Sequence, residues 1–143
     1  MNVTPLSLWL IAAILAQGAL ALGLLWYLGT IRIPMVMKGE VRVDDIALDR
    51  KAWPVRSRQA SNAFDNQFQL PVLFYVGALL ALYFGPTLLE VLLGWLFVVT
   101  RYAHAWVHVT DNHVVRRFAA YFAGLVVLCV LWLDLVVRLF LAI

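Results

Sequence analysis

Arg101, His104 and His108 stand at positions i, i+3 and i+7 of an otherwise apolar stretch, Leu88 to Val109. That spacing puts the three on one face of a single helix. Arg117 and Tyr121 lie one turn apart in the next apolar stretch, again on a shared face. An Arg at the centre of a bilayer span costs about 2.5–3.5 kcal/mol on insertion scales. Side chains kept at that cost belong in a protein-lined cavity rather than against lipid. Guanidinium, imidazole and phenol groups together make a cationic pocket rich in hydrogen-bonding groups. Such a pocket suits a small hydrophilic anion, with a lipid-soluble second substrate arriving from the bilayer.

Other chemistries fit less well. Two His at i and i+4 can share a metal, but the zinc-protease pattern needs a Glu beside the first, and Ala105 stands there. His113 is the only further His and no carboxylate cluster accompanies it, so no metal site is expected. Cys129 is alone, which excludes an intrachain disulfide, and its apolar run reads it as a small buried hydrophobe. Asp134 and Arg138, at i and i+4, read as an ion pair near the end of the last span. A transporter or channel would call for paired broken helices or a ring of carboxylates, and neither pattern is present.

The elements that carry these residues are membrane spans. Hydrophobic residues make up 64% of the 143 and charged residues only 13%, with a mean hydropathy of +0.89. Soluble domains are near half apolar and a quarter charged, so both values point to a membrane protein. The length allows one all-α domain, an integral membrane four-helix bundle. Its spans are expected at about 6–31, 67–84, 88–109 and 115–141, with a loop over about 33–66. Thr4-Pro5 is an N-cap and N1 pair for the first span, which is too long for a signal peptide. Thr87-Leu88-Leu89-Glu90 reads as a capping box opening the third. Gly77, Gly94 and Gly124 read as points of close helix packing.

Charge gives an orientation. The net charge is +3, and seven of the eleven Lys and Arg fall between Arg32 and Arg58, with Arg116 and Arg117 after the third span. Four crossings put both groups on one side. The positive-inside rule makes that side cytoplasmic and leaves both termini non-cytoplasmic. Glu40, Asp44, Asp45 and Asp49 interrupt the basic run, so nucleic acid is not an expected partner. Membrane lipid and lipophilic small molecules are. Short loops lean towards a bacterial inner membrane.

The stretch Asn66-Gln67-Phe68-Gln69-Leu70-Pro71-Val72-Leu73-Phe74 resembles the second-helix motif of the MAPEG family, the membrane-associated proteins in eicosanoid and glutathione metabolism. Arg101-Tyr102-Ala103-His104, with Arg117 and Tyr121 following, resembles that family's third- and fourth-helix signature. Gly29-Thr30-Ile31-Arg32 resembles the end of its first helix. The resemblance implies a homotrimer of four-helix protomers that binds glutathione between neighbours near the cytoplasmic side. It implies glutathione contacts at Arg32, Asn66, Arg101, His104 and Tyr121, with Arg117 as the catalytic residue holding the thiolate. Gln69, where the family motif usually has Glu, and His108, where several members have Tyr, complete the binding set. A second register, Arg58-Gln59-Ala60-Ser61-Asn62 with Asp65, also keeps an Arg, an Asn and an acid. The implied activity is a glutathione-dependent transferase, isomerase or peroxidase acting on a lipophilic electrophile. The rival is a non-enzymatic lipid-binding or scaffold protein of the same fold.

Overall fold

The computed structural model describes residues 4–47 and 49–142. Among them there is no strand, and six helices follow one another: α1 Pro5–Met37, α2 Val43–Ile46, α3 Val55–Asp65, α4 Leu70–Phe84, α5 Leu88–Val109 and α6 Val114–Ala142. Four segments are long and apolar enough to cross a membrane: α1, the α3–α4 run, α5 and α6. At 1.5 Å per residue, the 33 residues of α1 extend about 50 Å, well beyond a hydrocarbon core of about 30 Å. The excess stands at the end where α1 meets α3.

The segment expected as loop over 33–66 is largely helical. Helix α1 runs through Pro34 to Met37, and Lys38 N donates to Pro34 O at 3.0 Å. Helix α3 carries Ser57, Ala60, Ser61 and Ala63 on its buried face. Ala60 packs with Leu28 and Ile31 of α1, and Ala63 with Leu24 and Ala105. Packing against α1, rather than hydropathy, therefore makes α3 a helix. A short 3-10 turn, Asn66–Phe68, separates it from α4. Pro71 causes that break, because it has no N–H to offer the carbonyl one turn back.

The main core gathers Leu10 and Ala13 of α1, Phe74 and Ala78 of α4, Phe97 and Val98 of α5, and Leu128 and Leu131 of α6. Phe74 and Phe97 stack with ring centroids 4.7 Å apart. Two glycines set how closely helices approach. A Cβ on Gly94 would lie 3.0 Å from Leu10 Cδ1, and one on Gly124 only 2.8 Å from Thr100 Oγ1. Ring donors add cross-helix ties. Trp95 Nε1 donates to Trp9 O at 3.2 Å, Tyr102 to Ala16 O at 2.9 Å, and Trp132 Nε1 to Leu73 O at 3.3 Å.

The caps at Thr4 and Thr87 form as expected, the second as a full capping box with Glu90. The expected Asp134–Arg138 pair does not form. Arg138 reaches across the bundle to Glu90 at 2.6 Å and donates to the carbonyls of Phe84 and Gly85. The fully buried Glu90 carboxylate and two carbonyls at a helix end offer more acceptors than the single half-buried Asp134 carboxylate. Cys129, expected as buried, faces outward on α6.

Candidate functional site

The α5–α6 turn assembles the site. Asn112 takes a left-handed conformation, φ 51°, and its N–H returns to Val107 O at 2.8 Å. Asn tolerates that conformation better than most residues. The turn folds α6 back along α5, so residues one to three turns from the bend on each helix face one another. Those are His104 and His108 on α5 and Arg117 and Tyr121 on α6.

Arg117 is held at two points. One guanidinium nitrogen donates to Asn112 Oδ1, and the same nitrogen lies 3.4 Å from His108 Nε2. His104 Nδ1 is 3.0 Å from the backbone carbonyl of Arg117. The His104 ring is 5.7 Å from that of His108 and 5.9 Å from that of Tyr121. Asn66, His104, His108, Arg117 and Tyr121 line one cleft of about 240 Å³, with Val114 and Phe118 as its apolar wall. Phe118 is 65% exposed, so that wall continues onto the outer face of the bundle.

Arg101 lies deeper. It is fully buried, and none of its three guanidinium nitrogens has a hydrogen-bond partner. Its guanidinium carbon lies over the face of Tyr121, 5.6 Å from the ring centroid. Salt bridges among the described residues are Arg50–Asp65, Arg116–Asp111 and Arg138–Glu90. Arg101 and Arg117 thus have no carboxylate partner, and Arg117 brings an uncompensated positive charge to the cleft. Buried charges without partners are costly, which makes the cleft a place for an anion.

A second cleft of about 240 Å³ adjoins the first. Arg32, Arg50, Arg58, Asn62 and Asn112 line it, together with three neighbours from α3. Arg32 Nε donates to Ser57 Oγ at 3.0 Å, and the guanidinium stacks over Trp53 at 4.3 Å. Hydrogen bonds tie the two linings together: Arg117 donates to Asn112, and the Asn66 amide donates to Asn62 O at 2.8 Å. Both registers of the second-helix motif therefore reach the site. Arg58 and Asn62 line the second cleft, while Asn66 lines the first.

Of the eight residues expected from sequence, five line one cleft, Arg32 lines the other, and Arg101 stands behind Tyr121. Gln69 is apart. It is exposed, in the bend between the 3-10 turn and α4, and lines neither cleft. A polar pair went unnoticed in the sequence. Gln17, fully buried in α1, donates to Gln67 Oε1 at 2.9 Å, and Gln67 Nε2 donates to Ala63 O at 3.0 Å. A lone Gln in the middle of an apolar span is a signal in itself, since it needs a partner there.

Four spanning helices with a cationic cleft at one end define an integral, multi-pass membrane protein. The chain belongs to the MAPEG family, whose family model matches residues 10–137 of its 143. No curated protein and no solved structure matches the chain.

Proposed function

We propose that this MAPEG protein binds glutathione in the paired clefts and uses its thiolate on a lipophilic electrophile, as a transferase, isomerase or peroxidase. The observation that carries the reading is Arg117, a guanidinium with no carboxylate partner in a cleft that no carboxylate lines, backed by the buried and unpaired Arg101 behind Tyr121. Arg117 holds the thiolate. Tyr121, His104, His108 and Asn66 complete that cleft, and Arg32 binds a carboxylate of the peptide in the adjoining one. The apolar wall of Val114 and Phe118 gives the second substrate a route from the bilayer.

A thiol of pKa about 8.5 must lose its proton to react. Bringing it down by two pH units takes about 2.7 kcal/mol of preferential stabilisation of the anion. One guanidinium in a partly dry site is of that order. The single membrane domain assembles as a homotrimer in this reading, with glutathione between neighbours. The basic end faces the cytoplasm of a bacterial cell and both termini lie on the other side of its inner membrane.

The test is thiolate absorbance on adding glutathione to the purified protein. The expected result is a thiolate signal that Arg117→Ala abolishes while the oligomer stays intact. An unchanged signal in the variant contradicts the assignment.

A second reading, a lipid-binding scaffold, has its own observation. A concavity of about 760 Å³ forms an apolar groove on α1, lined by residues such as Leu22, Trp26 and Ile33. Lipid retained through purification without glutathione affinity would favour it.

A further inference from the structure

Arg117 can stabilise a thiolate but cannot take the proton that leaves, because a guanidinium has no acceptor. Something else in the cleft must. His104 Nδ1 lies 3.0 Å from the carbonyl oxygen of Arg117. A carbonyl only accepts, so Nδ1 carries the hydrogen and the lone pair of the neutral ring is on Nε2. That Nε2 is buried and has no hydrogen-bond partner, and His104 lines the cleft with Arg117. The other imidazole is already engaged. Arg117 only donates, so the contact at 3.4 Å uses the lone pair of His108 Nε2. No carboxylate lines the cleft, the Asn66 amide donates to Asn62 O, and the neutral Tyr121 phenol is an acid rather than a base.

Resting on the glutathione reading above, we propose that His104 Nε2 is the proton acceptor for the substrate thiol. The S–H bond breaks, the proton forms an N–H bond at Nε2, and the electron pair remains on sulfur against Arg117. The resulting imidazolium keeps its Nδ1–H on the Arg117 carbonyl, so the ring stays in register. When sulfur attacks the electrophile, the proton passes to the carbanion or departing anion and neutral His104 returns. The groups that face this ring are Arg101 and His108 from α5 and Arg117 and Tyr121 from α6.

The test compares His104→Asn and His104→Gln with the unaltered protein, mixing each rapidly with glutathione and following thiolate absorbance. Asn places an amide N–H where Nδ1 was, so the tie to Arg117 O survives while the base is lost. The expected result is thiolate forming about 100-fold more slowly at saturating glutathione, with recovery of the rate on adding imidazole. Equal rates, or no effect of imidazole, overturn the proposal. A second measurement needs no altered site: nitrogen NMR of labelled histidine in the unaltered protein. His104 Nε2 should change from lone-pair type to N–H type as the thiolate forms, and a signal that stays lone-pair type overturns the role. An unaltered protein that forms no thiolate with glutathione removes the underlying reading, and this role falls with it. Normal thiolate formation in both variants removes only the role of His104.

Discussion

The guanidinium of Arg101 lies 5.6 Å from the ring centroid of Tyr121 and has no hydrogen-bond partner. The residue is wholly buried at a depth where charge is expensive. The fold carries this charge with no hydrogen bond or ion pair among the described residues to offset it.

Arg101→Met, which keeps much of the volume, should therefore raise the stability of the ligand-free protein, by about 1–4 kcal/mol if it behaves as other buried charges do. It should also remove the stabilisation that glutathione confers. Thermal unfolding in detergent with and without glutathione checks both. A lower unfolding temperature in the ligand-free variant would mean that Arg101 is structural.

At the other end of the bundle, Glu90 and Arg138 are joined at 2.6 Å, with Glu90 fully buried. Arg138→Met strands that carboxylate and should cost about 3–5 kcal/mol. Adding Glu90→Gln should recover a large part of the loss. A double variant as unstable as the single one would contradict the pairing.

Gly124→Ala places a methyl 2.8 Å from Thr100 Oγ1, an atom held by its own bond to Phe97 O at 2.6 Å. Overpacking of this kind should cost about 1–3 kcal/mol, and Thr100→Ala in the same chain should relieve it. Gly18→Ala, where the new methyl meets nothing within 4 Å, is the control and should be close to neutral.

The Gln17–Gln67 bond behaves differently under single and double substitution. Gln17→Leu leaves Gln67 Oε1 buried and unpaired, at a cost of about 1–3 kcal/mol. Replacing both with Leu should be nearly neutral, because no orphan polar group remains. Additive losses in the double variant would show that the two glutamines do not act as a pair.

The four spans were legible because each is a long apolar run, and the α5 face was legible because Arg101, His104 and His108 keep helical spacing. Helix α3 was not. Arg58, Gln59, Ser61 and Asn62 read as polar loop, and only the contact of Ala60 and Ala63 with α1 makes them helical. The partner of Arg138 was hidden for a related reason. Asp134 is four residues away in sequence, whereas Glu90 is 48 away and comes near only when α5 and α6 pack. Long-range pairing also hid Gln67, whose partner lies 50 residues earlier. Within the site, spacing alone placed the histidines on one face. It could not tell which ring would find a carbonyl and which a guanidinium.

The central claim is that the cleft at Arg117 is a site for glutathione. Isothermal calorimetry of glutathione into the purified protein, with Arg117→Ala alongside, tests it most directly. The account predicts micromolar-to-millimolar binding that the variant loses. No binding by a well-folded oligomer, or equal binding by the variant, would contradict it and reassign the Arg–His cluster to structure.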